Sequence, residues 1–286
     1  MRKILLIIGL FLTISLSGQI LPGIVASQGG AGFVARSAEY DTVYKAMTTK
    51  PTAQYAVIDD DMVYSLDSAG FWDRMDYLLI VASENEDGAL INWIKPGTYD
   101  ADNVSSTAWT KFEGYTGDGA NDYISTNFNL SSNTSNYTLD DASVGIYIRT
   151  NLQETTPTVF KASDGTNSVG LSPRTTTDQY SAKINASLNM GGIAVLDSRA
   201  LWVLTRTASN ACSMYRTTTK LETETDVSTS IPDTEIYVLY NITAPGYYSA
   251  HQFSIFFIMD GVSDDDVTNL NTIFERRMDR LGKGVQ

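Results

Sequence analysis

Residues 200–243 read ALWVLTRTASNACSMYRTTTKLETETDVSTSIPDTEIYVLYNIT. Apolar residues alternate there with hydroxyl-bearing residues, and turn-forming residues recur about every ten positions. Such alternation is typical of antiparallel strands with one buried and one hydrated face, so the stretch predicts a β-sandwich. The same pattern continues outward from it and predicts strands at residues 77–82, 137–150, 158–161, 168–172, 180–188, 200–207, 212–216, 235–241 and 251–259.

Two short helices are predicted before the first strand. Apolar residues fall at helical spacing through residues 40–47, after Ser37 as an N-cap, and again through residues 55–66. Gly70 is a natural end for the second helix, because glycine adopts the left-handed conformation without strain. The three carboxylates at residues 59–61 are expected on a solvated face, since a calcium loop needs ligands at alternate positions around a glycine turn.

A third helix is predicted after the last strand. Ser263, with Asp266 three residues later, forms a capping-box pattern, and apolar side chains follow at helical spacing. The predicted organisation is a signal-like segment at residues 1–18, a helical preface at residues 19–75, and one sandwich with its closing helix at residues 76–286. The fold class is therefore mostly β.

Composition excludes several classes of function. The chain has 286 residues with 33 acidic and 20 basic side chains, and its net charge of -13 repels a phosphate backbone, so nucleic acid is not an expected partner. Cys212 and His251 are the only residues of their types, which excludes an intrachain disulfide and a zinc or copper site. No cofactor is expected. Calcium at the Asp-Gly turns of residues 118–119, 164–165 and 260–261 is an alternative, although turn formation alone accounts for these dipeptides.

The first residues have the pattern of an export signal. Arg2 and Lys3 precede an apolar-rich run at residues 4–16, and small residues follow. This run is too short to cross a bilayer of roughly 30 Å as a helix, which takes about 20 residues. No stable membrane span is therefore predicted, and export is expected.

Short segments distributed over roughly residues 20–282 form a recognisable combination. They are GFW at residues 70–72, DYLL at 76–79, LINW at 90–93, EGYTGDG at 113–119, YISTNFN at 123–129, ASVG at 142–145, RT at 149–150 and RTASNA at 206–211. The combination resembles virion structural or tail-associated proteins of tailed bacteriophages and prophages. This resemblance implies a laminin-G-like, concanavalin-A-like jelly-roll sandwich with a structural or adhesive role, no catalytic residues, and partners among other virion proteins or copies of itself.

One group of carboxylates invites comparison with glycosidases. Glu222, Glu224 and Asp226 occupy alternate positions, so on a strand they would share one face. Retaining glycosidases place two carboxylates about 5 Å apart in this manner. Here threonines rather than apolar residues separate the acids, which favours an exposed hairpin over a catalytic cleft.

The single histidine and the single cysteine are candidate site residues. His251 follows Tyr247 and Tyr248, and this group could stack on a sugar ring. The alternative is a histidine at the start of a strand, packed against the tyrosines, since no serine or cysteine elbow accompanies it. Cys212 lies on an alternating strand, which favours a small buried residue over a nucleophile.

Three functions follow from the sequence, in order of preference. The first is a non-enzymatic structural or adhesive component of a bacteriophage-like virion that binds host-surface glycans. The second is a secreted bacterial carbohydrate-binding protein, and the third is a polysaccharide-cleaving enzyme that uses Glu222 and Glu224. The expected location is accordingly the virion or the extracellular space. No catalytic or metal-binding residue is assigned, and the binding residues stay unknown.

Overall fold

Two antiparallel β-sheets face each other across an apolar core in the computed structural model, which describes residues 33–155, 158–243 and 246–286. The signal-like segment predicted at residues 1–18 lies outside the described residues. The strands are β1 (Met75–Ile80), β2 (Asp102–Val104), β3 (Ala108–Thr110), β4 (Gly114–Thr116), β5 (Tyr123–Asn129), β6 (Ala142–Ile148), β7 (Phe160–Ser163), β8 (Ser168–Ser172), β9 (Gln179–Ala186), β10 (Met190–Ala194), β11 (Ala200–Ala208), β12 (Ala211–Arg216), β13 (Thr219–Glu224), β14 (Glu235–Val238) and β15 (Gln252–Met259).

The strands form two sheets of similar size. Sheet A has the order β13-β12-β11-β6-β15-β4-β3, and β1 also pairs with β15. Sheet B has the order β10-β9-β8-β7-β14-β5-β2. Alternate side chains of both sheets point inward and fill one continuous apolar core. The fold is mostly β, a sandwich of two antiparallel sheets followed by a C-terminal helix, as the sequence predicts.

Helices precede and follow the sandwich at the predicted places. They are α1 (Ala38–Ala46), α2 (Ala53–Ser68), the short α3 (Glu86–Ala89) and α4 (Asp264–Arg280). The Ser37 side chain caps α1 by accepting from the Tyr40 N–H, and Ser263 with Asp266 forms the predicted capping box at α4. Gly70 adopts a φ of 75° just after α2, as expected for the end of a helix. Within the described residues, none of the helices has the length and apolarity that a bilayer crossing requires.

The helices cover the outer face of sheet A. A second apolar cluster joins side chains of α1, α2 and α4 to outward-facing side chains of β1, β6, β11, β12 and β15. Strands β6 and β15 are consequently buried along their whole length. Among the described residues this cluster contains no side chain of sheet B, so the two sheets differ in how their outer faces are used.

The expectation that residues 59–61 form a solvated face is wrong for two of the three carboxylates. Asp59 is buried between α2 and α4, where it forms an ion pair with Arg277 at 2.8 Å. Asp60 is also buried and accepts hydrogen bonds from the backbone N–H groups of Arg36 and Ser37. The helical periodicity alone did not reveal that charged groups of two helices meet at this interface.

The strand predicted at residues 137–150 begins later than its alternation indicates. The backbone N–H groups of residues 135–137 donate to the buried carboxylate of Asp76 at 2.7 to 3.1 Å. Because these donors are satisfied by a side chain, they do not join the sheet ladder, and β6 starts at Ala142.

Candidate functional site

The outer face of sheet B is open among the described residues and carries a row of polar side chains. Burial alternates along β14 and along residues 179–184 of β9, with the inward residues buried and the outward ones half-buried. Strand register places Lys183, Gly170, Lys161, Tyr237 and Ser125 side by side across five neighbouring strands. Residues paired in this way lie on the same face, so the row runs across the open face.

Four tyrosines form a cluster at one end of this row. Tyr240 and Tyr248 stack with ring centroids 4.8 Å apart, and Tyr123 lies 5.0 Å from Tyr240. Tyr237 completes the cluster at 5.7 Å from Tyr123 and 5.8 Å from Tyr240. Burial, followed by the charge of Glu235, raises the pKa of Tyr237 to about 12, so its hydroxyl stays neutral at physiological pH. This tyrosine cluster is a neutral, half-buried aromatic surface with several hydroxyl groups.

A groove of about 320 Å³ opens beside the tyrosine cluster. Both lysines of the row, Lys161 and Lys183, line it, together with Tyr247, whose exposed fraction is 44%. Its other polar side chains are hydroxyls and amides, namely Thr155, Thr158, Ser172, Thr175, Ser181, Asn189 and Asn241. An apolar ring surface next to a few fixed polar groups is the usual composition of a small-ligand site.

The lysine pair, Lys161 and Lys183, lies on either side of a glycine. A Cβ added at Gly170 would lie 2.9 Å from Cδ of Lys161, so the lysine side chain extends over the glycine. Burial lowers the pKa of Lys161, and the nearby charge of Lys183 lowers it further. Neither ammonium has a hydrogen bond or ion pair with any residue that the structure describes.

His251 does not contribute to this face. It is fully buried, with Nδ1 2.8 Å from Glu154 and Nε2 3.2 Å from the Ser198 hydroxyl. The order of these groups is that of a serine–histidine–acid triad. The Ser198 hydroxyl is fully buried, however, and donates to the Thr150 carbonyl at 2.9 Å, so it holds the backbone in place. Of the two interpretations of His251, the structure contradicts sugar stacking and agrees with a buried residue at the start of a strand.

The carboxylates compared with a glycosidase pair lie at the edges of the sheets. Glu222 on β13 accepts hydrogen bonds from the Tyr180 hydroxyl and from the Gly191 N–H, which links sheet A to strands β9 and β10 of sheet B. A hydrogen bond with Glu222 raises the pKa of the half-buried Glu224, and the charge of Glu222 adds to this effect. The predicted hairpin is present as the pair β12–β13. Cys212, on β12, is buried as expected, and burial raises the pKa of its thiol.

The aspartate carboxylates of the three Asp-Gly turns are occupied by hydrogen bonds and an ion pair within the protein. Asp118 accepts the N–H groups of residues 120–122, and Asp164 accepts those of Thr166 and Asn167. The third, Asp260, pairs with an arginine side chain at 2.9 Å. In the part of the chain that the structure describes, no three His, Cys, Asp or Glu side chains are grouped as metal ligands.

Only part of this site is predictable from the sequence. Tyr247 and Tyr248, which are sequence candidates, lie in the groove and in the tyrosine cluster respectively. Tyr123, Tyr237, Tyr240 and the lysine pair are not among the sequence candidates. The available signal was the outward position of large polar side chains in the alternating strands, and the register needed to bring them together is not visible in the sequence.

Comparison with known proteins supports the fold. No protein-family model matches the chain, and no curated protein matches it in sequence. A Trypanosoma rangeli sialidase in complex with sialic acid shares 12% identity and a TM-score of 0.51, covering 73% of this chain and 33% of the sialidase. A point mutant of HCR/D shares 12% identity and a TM-score of 0.50, covering 70% of this chain and 52% of that protein. Domain 4 of an extracellular arabinanase from Geobacillus stearothermophilus, in complex with arabinotriose, shares 14% identity and a TM-score of 0.46, covering 69% of this chain and 98% of the domain.

At these identities the similarity indicates a shared β-sandwich and nothing finer. The chain spans about a third of the sialidase and about half of HCR/D. The assignment of a site therefore depends on the chain's own residues.

Proposed function

We propose that the protein is a non-enzymatic glycan-binding protein that holds a saccharide on the open face of sheet B. The observation that carries this proposal is the tyrosine cluster beside the polar groove, on the sheet face that the described helices leave uncovered. A sugar ring has one apolar C–H face and a rim of hydroxyl groups. The apolar face packs on aromatic rings, and the hydroxyls bond to side chains of the kind that line this groove.

The similarity to a sialidase solved in complex with sialic acid supports the proposal only through the fold, since it shows that a sandwich of this kind occurs in a protein that binds a sugar. A role without catalysis is supported by two features of the candidate acids. Glu222 holds two sheet edges together, and the triad-like Ser198 is enclosed in the interior. Whether the glycan-binding protein is carried on a phage-like particle or secreted on its own stays a prediction from the sequence resemblance and the export-like segment.

A glycan array tests the proposal with a matched pair of tyrosine variants. Tyr247 and Tyr64 are both 44% exposed, but only Tyr247 lines the groove, whereas Tyr64 lies on α2 beneath Arg36. We expect Tyr247→Ala to weaken binding of the glycan that the array identifies by about tenfold, because an aromatic contact contributes about 1.5 kcal/mol. Tyr64→Ala should bind as the unchanged protein does.

Two outcomes would contradict the proposal. One is an array on which no glycan binds the folded protein. The other is a glycan whose affinity falls equally in both tyrosine variants, because its binding would then not depend on the groove.

A further inference from the structure

The lysine pair places two positive charges in one groove of an acidic chain. Four other lysines are neutralised by a carboxylate, in the ion pairs Lys45–Asp41, Lys111–Glu84, Lys220–Asp264 and Lys283–Glu113. Lys50 donates to backbone carbonyls, and Lys95 has no partner among the described residues. Lys161 and Lys183 have no such partner among the described residues, although the chain has 33 acidic side chains against 20 basic ones. Two unneutralised cations beside each other repel, so their position works against folding unless a ligand uses it.

The geometry lets both ammonium groups reach one ligand. The two lysines lie on β7 and β9, which are separated only by β8, so their backbones are about 10 Å apart at the usual strand spacing. The intervening residue is Gly170, which has no side chain to stand between them. Both lysines line the same groove, and Tyr237 follows Lys161 in the cross-strand row. Positive charge and aromatic surface are therefore adjacent.

We propose that this groove selects saccharides that carry a carboxylate or sulfate group, and that Lys161 and Lys183 hold this anionic group while the sugar ring packs on the neighbouring tyrosines. The inference rests on the proposed glycan-binding function and specifies its substrate class. An ammonium group is a compact, strongly hydrated charge on a flexible side chain, and its three N–H donors can bond to such anions in several orientations. A bound anion also removes the repulsion between the two lysines.

The overall charge of the chain limits how far this preference extends. The net charge of -13 repels a long polyanion before it reaches the surface. Salt screens that repulsion beyond about 8 Å at physiological ionic strength, whereas the lysine pair acts at contact. An anionic group on a saccharide fits these conditions better than a nucleic acid does.

The experiment measures binding to an array on which each saccharide backbone appears in neutral, carboxylated and sulfated forms. We expect the charged forms of the recognised backbone to bind at least about tenfold more tightly than the neutral form, since charge-assisted hydrogen bonds are roughly twice as strong as neutral ones. Whichever charged form binds better identifies the anion. Raising the salt concentration should reduce the preference.

Three lysine variants locate the effect. Lys161→Met and Lys183→Met keep an aliphatic side chain of similar length and remove the charge, and each should reduce the preference for charged forms by about tenfold. Lys95→Met is the matched control, because Lys95 is exposed, has no partner among the described residues and lies in the loop between β1 and β2. Thermal melts of all three variants confirm that they are folded.

The outcomes separate this inference from the proposed function. Equal binding of neutral and charged forms, or a preference that survives both lysine changes, would overturn the anion selection and leave glycan binding intact. An array without any bound saccharide would overturn both.

Discussion

The two sheets use the same sandwich pattern on their inner sides and differ on their outer sides. Strand β15 of sheet A, QFSIFFIM, is buried at every position because helices cover its outer face. In β9 of sheet B, QYSAKINA, the first six residues alternate between half-buried and buried. Sheet A therefore contributes both faces to the stability of the fold. Sheet B contributes one face, and its other face is available for a ligand.

The covered side and the open side also differ in whether their charged groups are paired. On the covered side, Arg277 meets Asp59 at 2.8 Å, and the two side chains are only 2% and 6% exposed. On the open side, Lys161 and Lys183 lie next to each other without a carboxylate partner among the described residues. The comparison predicts that removing a charge has opposite consequences on the two sides.

The largest effect is expected for Arg277→Ala on the covered side. Removal of the guanidinium leaves the carboxylate of Asp59 buried and unpaired and also removes a hydrogen bond to the carbonyl of Ala82. Breaking a buried ion pair from one side typically costs about 3 to 5 kcal/mol. Urea denaturation should show a loss of this size in the free energy of unfolding.

Arg276→Ala provides the control for this change. Arg276 is the preceding residue of α4, is exposed, and donates to the Ser65 hydroxyl on α2. Its removal should change the free energy of unfolding by no more than about 0.5 kcal/mol, as for most surface substitutions. Similar losses for the two arginines would mean that burial of the ion pair does not distinguish the covered side.

A smaller effect is expected for Glu154→Gln, at the loop that borders the open face. Burial alone would raise the pKa of Glu154, but hydrogen bonds from His251, from the Ala250 N–H and from Ser249 outweigh it and hold the pKa below its ordinary value. Hydrogen bonds to a charged group contribute about 1.5 to 3 kcal/mol. We therefore expect a loss within that range at pH 7, measured by urea denaturation.

The loss should depend on pH in a defined direction. Because the folded pKa of Glu154 is lowered, its stabilisation is complete above the unfolded pKa of about 4.3 and disappears as the pH falls through the folded value. The difference in free energy of unfolding between the unchanged protein and Glu154→Gln should therefore shrink as the pH is lowered from about 5 towards about 3, a range that brackets this unfolded pKa. Glu39→Gln, at a carboxylate without a partner among the described residues, should show no comparable trend, and a pH-independent loss at Glu154 would contradict the assignment.

The sandwich and its helices could be predicted from the sequence because their signals are local. Alternation along residues 200–243 predicts strands. The capping pattern from Ser263 to Asp266, which is only four residues long, predicts the start of a helix. The buried position of Asp59 was not predicted, since its partner Arg277 is 218 residues away in the chain. A local pattern carries no information about such a partner.

The candidate site was difficult to predict for the same reason. Its central row joins residues 125, 161, 170, 183 and 237, which come from five strands and become neighbours only through the register of the sheet. A shift of one residue in any strand would turn its side chain to the core. A short turn at residues 164–167 joins β7 to β8, but β14, which pairs with β5 and β7, comes much later in the chain, so no short turn fixes its register in advance.

The smallest effect, and one of opposite sign, is expected for Lys161→Met in the absence of ligand. Burial and the charge of Lys183 lower the pKa of Lys161, so its charged form opposes folding. This penalty is present below the folded pKa and is lost as the pH rises through the unfolded value of about 10.4. Thermal melts should therefore show Lys161→Met as stable as the unchanged protein or more stable at pH 7, with the difference vanishing above about pH 10.4. Lys95→Met should show no change at either pH. A lower melting temperature for Lys161→Met at pH 7 would mean that the lysine stabilises the fold, and the contrast between the two faces would lose its functional meaning.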